Sequence, residues 1–174
     1  MILQDWNKLL NTECVVIRIG DEIIYPIFKN ASTNLLKVRD ETFVNEQIQQ
    51  FDSLTVFLRD PVERFTSAVN KYCQINKLDV MDTMDKIRGG HLVDRHFVPQ
   101  WVWLLHLYKY YKKQVKLKPM SAVSAVCSIT NKKRNSVPVI APQRFIEADQ
   151  KIMKHMNTVI DLEFLVKEYK VVLS

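Results

Sequence analysis

The sequence predicts an α/β domain organised around a central, mostly parallel sheet flanked by helices. Three observations carry that expectation. β-Branched runs alternate with segments of helical period. Residues 54–58, Leu-Thr-Val-Phe-Leu, form the short continuous apolar run expected of a parallel strand covered on both faces. The 174 residues are 47% hydrophobic and 25% charged, ordinary usage for a chain that builds one core, so residues 1–174 are expected to form a single domain. This composition excludes a disordered tail protein. Three glycines and six prolines exclude collagen-like and linker sequences.

The elements follow in order. Residues 1–12 suggest a short helical lead-in. Residues 14–19 and 22–28 are β-branched runs separated by Gly20-Asp21, which predicts a hairpin or two strands around a turn. Pro26 places the ladder of the second run after that point. Ser32 or Thr33 falls in the first turn of a helix that runs through Leu35-Leu36-Lys37-Val38. After the strand at 54–58, Asp60 is placed to cap a helix and Pro61 to be its first residue. Phe65, Ala68, Val69 and Tyr72 continue that helix at helical spacing. Residues 79–99 suggest a short helix, then a loop after Gly89-Gly90. Residues 100–111 form a strongly aromatic helix, 114–118 a short strand and 121–127 a helix of small residues. Residues 128–144 form a basic irregular loop, and 145–172 one long helix or two shorter ones.

Twenty-five Lys and Arg stand against 19 Asp and Glu, a net of +6 with a pI near 9.2. A positive surface favours anionic partners without choosing among nucleotides, glycans and nucleic acid. Cys14, Cys73 and Cys127 are an odd number with no CxxC spacing, which suggests neither a disulfide framework nor a zinc site. His91 and His96 are five apart with no evident third ligand, so no metal site is expected. Without a leader-like start or a run of about 18 apolar residues, the expected protein is soluble and cytoplasmic, of bacterial or viral origin.

The informative pattern occurs twice: strand, basic residue, helix start. In a parallel sheet both strand ends reach the same edge, where ligands bind. In Phe28-Lys29-Asn30-Ala31-Ser32-Thr33, Lys29 supplies a cation beside hydroxyls and a helix start. In Phe57-Leu58-Arg59-Asp60-Pro61-Val62-Glu63-Arg64-Phe65-Thr66-Ser67, Arg59 sits at a strand tip and Ser67 roughly two turns into the helix. A guanidinium fork beside a hydroxyl suits a phosphate monoester. Residues 24–34 contain no glycine, so this is not a Walker loop, which needs G-x-x-x-x-G-K followed by Ser or Thr.

Ile27-Phe28-Lys29-Asn30-Ala31-Ser32-Thr33 resembles the 5′-phosphosulfate-binding loop of sulfotransferases that use 3′-phosphoadenosine 5′-phosphosulfate (PAPS). The segment from Phe57 to Ala68 resembles their 3′-phosphate motif, a strand ending in R-D-P-x-x-R followed by S-A. Asp94-Arg95-His96-Phe97-Val98-Pro99-Gln100 resembles the H-W/F-x-P-Q segment of the carbohydrate-type branch. The three motifs stand in the family's order over residues 22–100. Residues 131–136 resemble its basic loop and 150–172 its closing helix.

The resemblance implies a P-loop-NTPase-like sulfotransferase fold and transfer of a sulfo group to a hydroxyl without an essential metal. Lys29 is then expected at the bridging oxygen and the sulfo group. Ser32 and Thr33, with backbone amides of Asn30, Ala31, Ser32, Thr33 and Asn34, would hold the 5′-phosphate. Arg59 and Ser67 would hold the 3′-phosphate. Lys132, Lys133 and Arg134 are either a solvated run or a lid over the 3′-phosphate and acceptor, in which Lys133 and Arg134 would contact the nucleotide. The expected acceptor is a carbohydrate or similar polar hydroxyl compound, and the released nucleotide is 3′-phosphoadenosine 5′-phosphate (PAP). An acceptor hydroxyl needs a base. The candidates are His96, which stands in the matched segment, and Glu41, Glu46, His91 and Asp94.

Alternative readings are a catalytically idle nucleotide-binding module and a nucleotide kinase of related architecture. A nucleic-acid binder is less favoured, because Tyr108-Lys109-Tyr110-Tyr111-Lys112-Lys113 is more simply the solvent-facing end of a helix. Arg64 is placed either on phosphate or against Asp60. One of Trp101 and Trp103 is expected in the core and the other beside the acceptor. His106 and His155 read as ordinary helix residues. The chain is short for an active sulfotransferase, which implies an open cleft, a small acceptor or completion by a second copy.

Overall fold

A six-stranded mixed sheet, ordered β3-β1-β2-β4-β5-β6, organises the chain. The computed structural model describes residues 10, 12–92, 94–128 and 136–170. β1 (Val15–Ile19) and β2 (Glu22–Ile24) form the expected hairpin, with Gly20 at φ 58° in its turn. β2 ends before Pro26 rather than beginning after it; the last rung is Tyr25 N–H donating to Thr55 O, and Pro26 has no N–H to continue. α1 (Ser32–Lys37) follows. β3 (Glu41–Val44) then returns antiparallel to β1, where Glu41 accepts from Arg18 at 2.7 Å.

β4 (Ser53–Leu58) lies at the centre, parallel to both β2 and β5 (Gln114–Pro119). β6 (Val159–Asp161) closes the other edge, antiparallel to β5. Three of the five pairings are therefore antiparallel, which corrects the expectation of a mostly parallel sheet. The parallel part is confined to β2, β4 and β5, where β4 is buried from Leu54 to Leu58. Both unanticipated strands are short edges: β3 exposes Glu41 and Thr42, and β6 has three residues.

The helices cover the two faces unequally. On one face α2 (Pro61–Asn76), α3 (Val80–Arg88), α4 (Gln100–Tyr108), α5 (Gln143–Ile152) and α6 (Leu162–Lys170) enclose the main core. Phe65, Phe97 and Phe145 meet there against Leu54, Val56 and Leu117. On the other face Ile17, Ile24 and Phe57 are covered by Leu35 of α1 and by Val123 of the 3-10 helix Met120–Ala125. The helix of small residues expected at 121–127 is this 3-10 helix, one residue earlier and two residues shorter at its end. Of the two alternatives for the closing segment the two shorter helices are present, α5 and α6, with β6 between them; residues 171–172 lie outside the described residues. Asp60 caps α2, accepting from Glu63 N–H at 2.9 Å, with Pro61 as the first helical residue, as the sequence predicts. Among the described residues no helix is long and apolar enough to cross a membrane.

Candidate functional site

β2 and β4 are parallel neighbours, so the segments that follow them emerge at one edge of the sheet. The segment after β2 turns sharply. Asn30 N–H donates to Ile27 O at 3.0 Å, and Lys29 and Ala31 both take left-handed backbone, φ 69° and 62°. A non-glycine residue in that region is strained by roughly 1–2 kcal/mol, so the surroundings must hold it there. Asn30 does so. It is 1% exposed, and its amide nitrogen donates to Phe57 O at 2.8 Å and to Gln100 Oε1 at 2.6 Å.

Gln100 completes the clamp. Its Oε1 also accepts from Arg59 N–H at 2.9 Å, and its Nε2 donates to Arg59 O at 2.9 Å. The Arg59 guanidinium then reaches across, donating from Nη1 to Lys29 O at 3.1 Å. The two basic segments, 30 residues apart in sequence, are thus bolted together by one glutamine and one arginine.

A second layer lies beneath them. Arg64 is 2% exposed; its Nε donates to Phe28 O at 3.1 Å and its Nη1 to Val98 O at 2.6 Å. It therefore faces neither phosphate nor the Asp60 carboxylate. Burial pushes its pKa down to about 10, opposed by Asp149 and reinforced by Arg59. Asp149, from α5, caps α4: Gln100 N–H and Trp101 N–H donate to it at 2.8 and 2.9 Å. Burial pushes the Asp149 carboxyl up, while Arg64 and those N–H groups oppose the rise. Gln100 and Asp149 had no assigned part in the sequence reading, and Arg64 was placed on phosphate or against Asp60, neither of which it meets. Their signal was present only as polar residues inside apolar helices.

Lys29, Ala31, Ser32, Thr33, Asn34, Arg59, Ser67 and His96 line one open cleft of about 1500 Å³. Among the described residues four cations, Lys29, Lys37, Arg59 and Lys71, line it against a single carboxylate, Glu63. Arg59 is half-buried, and burial lowers its pKa against the opposing pull of Glu63 and Asp60. The N–H groups of Ser32, Thr33 and Asn34, in the first turn of α1, have no intrahelical acceptor. Asn30 differs from its neighbours. Its side chain and its N–H are both used inside the fold, so it supports the loop instead of facing the cleft.

His96 is half-buried at the cleft wall beside the Phe28 ring, 5.7 Å between centroids. Asp94 Oδ1 holds both its Nδ1, at 2.5 Å, and its backbone N–H, at 2.9 Å. Partial burial pushes the Asp94 carboxyl up, but the hydrogen bonds from His96 outweigh it and leave the pKa below the ordinary carboxylate value. Nε2 is the ring nitrogen left for another partner. Glu41, Glu46 and His91 do not line the cleft; Glu41 is paired with Arg18 on the sheet edge. Lys133 and Arg134 lie outside the described residues. The chain beyond them returns to the cleft, where Ser136 lines it and Asn70 exchanges two hydrogen bonds with Val137.

Trp101 is core, as one of the two tryptophans was expected to be. His106 is not an ordinary helix residue. It is 4% exposed on α4, and neither ring nitrogen makes a hydrogen bond of acceptable geometry among the described residues. Burial pushes its pKa below 6.5; the Glu13 main chain opposes this and Lys109 reinforces it. A depressed folded-state pKa means that the unfolded chain binds the proton first. Stability is therefore expected to be full above pH 6.5 and to fall as pH drops from there toward the folded-state value. His106→Leu is expected to flatten that acid limb in thermal melts run across the range. An unchanged limb would place the acid sensitivity elsewhere.

No family model, curated protein or solved structure matches this chain.

Proposed function

We propose that the protein is a PAPS-dependent sulfotransferase that moves a sulfo group to an acceptor hydroxyl and releases PAP. One observation carries the reading: the Lys29 and Arg59 segments, which resemble the family's two phosphate-binding motifs, are locked against each other at the edge of one basic cleft. A ligand with phosphates at two separated positions suits that arrangement better than a monophosphate does. Ser32, Thr33 and the open N–H groups of α1 are assigned to the 5′-phosphate, and Arg59 and Ser67 to the 3′-phosphate.

The chemistry follows from the groups around the cleft. His96 takes the proton from the acceptor hydroxyl through Nε2. Asp94 fixes its orientation and stabilises the imidazolium that forms. The acceptor oxygen bonds to sulfur as the bond from sulfur to the 5′-phosphate oxygen breaks, and the electron pair stays on that oxygen. Lys29 stands where this charge develops, and a fixed cation there lowers the barrier.

Calorimetric titration with PAP, 5′-AMP and ATP, with and without Mg²⁺, tests the reading. Metal-independent binding of PAP, clearly tighter than 5′-AMP, is the expected result. Equal affinity for the two sinks it, and Mg²⁺-dependent ATP binding turns the assignment to a kinase. Arg59→Ala should weaken PAP about 10- to 100-fold, the value of one or two charge-assisted hydrogen bonds. It should weaken 5′-AMP less, because there only the bond from Arg59 to Lys29 O is lost; equal losses would remove Arg59 from the 3′-phosphate and leave it as a support of the Lys29 loop.

A further inference from the structure

Gln100 is 1% exposed and does not line the basic cleft. Its side-chain amide nonetheless bonds both segments that carry the strand-end cations. Oε1 accepts from Asn30 Nδ2 and from Arg59 N–H, and Nε2 donates to Arg59 O. Two donors and one acceptor around it fix which way the amide faces. Asn30 Nδ2 makes its second bond to Phe57 O, two residues before Arg59. The Lys29 loop is therefore tied to the end of β4 twice, directly and through Gln100. The same loop holds Lys29 and Ala31, on either side of Asn30, in left-handed backbone. That strained conformation persists only while its surroundings impose it. On the cleft side Arg59 Nη1 adds a further tie, to Lys29 O.

We infer that Gln100 is a positioning residue that fixes the spacing of the two phosphate positions, and so selects a 3′,5′-bisphosphate over a 2′,5′-bisphosphate. This role rests on the sulfotransferase reading, which assigns the 5′-phosphate to α1 and the second phosphate to Arg59. Moving that phosphate from C3′ to C2′ of the ribose leaves charge and size unchanged. Only its separation and direction from the 5′-phosphate alter, so charge alone does not tell the two ligands apart. A guanidinium anchored through Nη1 does, because its remaining donors form a rigid planar fork. The anchor is as firm as the backbone on each side of it, and the Gln100 amide holds both sides. Without that amide the strained turn around Asn30 relaxes toward ordinary backbone. The two strand ends then shift against each other, and the fork meets a phosphate at either ribose carbon.

The test is calorimetric titration of the full chain with PAP, adenosine 2′,5′-bisphosphate and 5′-AMP. The wild-type chain is expected to bind PAP about ten-fold or more tightly than the 2′,5′ isomer, the worth of one charge-assisted hydrogen bond. Gln100→Met keeps the length of the side chain and removes its amide bonds, and Asn30→Ala breaks the same clamp from the loop side. In each variant the ratio between the isomers is expected to fall toward one. Leu165→Ala, buried on α6 and off the cleft, controls for lost stability: its melting temperature falls and its ratio stays at the wild-type value. Wild-type protein that binds both isomers equally, and both more tightly than 5′-AMP, overturns the role of Gln100 and keeps the sulfotransferase reading. An undiminished ratio in either folded clamp variant does the same. A wild-type chain that prefers neither bisphosphate to 5′-AMP overturns the sulfotransferase reading, and the role of Gln100 falls with it.

Discussion

Asp149→Ala is expected to destabilise the protein by about 3–5 kcal/mol, the usual consequence of removing one partner from a buried charged pair. Asp149 lies on α5, far in sequence from everything it holds. Its two oxygens satisfy the first N–H groups of α4, and its charge offsets that of buried Arg64. Without it, Arg64 keeps its bonds to Phe28 O and Val98 O but loses the nearby opposite charge. The loss is a large share of the roughly 5–15 kcal/mol that a domain has. Urea denaturation measures it through the midpoint at constant slope. Asp149→Asn keeps the shape and an acceptor for α4, so a smaller loss is expected. PAP affinity should fall with Asp149→Ala, since Gln100 can no longer be held on Asn30 and Arg59. A destabilisation under about 1 kcal/mol, within the range of an ordinary surface change, would mean that the buried layer does not hold the loops in place.

His96→Ala is expected to cut sulfo transfer by about 10²- to 10⁴-fold, the usual contribution of a positioned general base, while PAP binding stays intact. Single-turnover rates with PAPS, beside PAP titrations, separate the two. The geometry sharpens the expectation. Asp94 holds Nδ1, which leaves Nε2 for the proton in the proposed reaction, and Asp94→Asn should slow transfer without filling or emptying the cleft. Glu41 and Glu46 lie off the cleft and offer no replacement. Transfer that survives His96→Ala would take His96 out of the proton path and leave it as an acceptor contact or a structural residue.

Much of the fold was legible because its causes are local. The apolar run Leu54–Leu58, the Asp60-Pro61 helix start and the Gly20-Asp21 turn each act within a few residues, and each appears where the sequence predicts it. β3 and β6 were not legible. An edge strand needs only one partner and leaves a face in water, so its sequence carries little apolar pattern. Pairing direction is a property of two strands, and no single segment records it.

The candidate site divides in the same way. Sequence by itself determined which residues bring charge and hydroxyls to the two strand ends, Lys29, Ser32, Thr33, Arg59 and Ser67, because a strand tip followed by a helix start is a local pattern. Tertiary structure alone decided that Asn30 turns inward, that Arg64 serves the fold, that Asp94 orients His96, and that Gln100 and Asp149 tie three distant segments into one edge. The physical reason is burial. A polar side chain taken out of water must find its partners wherever the packing of the core has placed them, and those partners are set by contacts across 27 to 70 residues, not by neighbours in the chain.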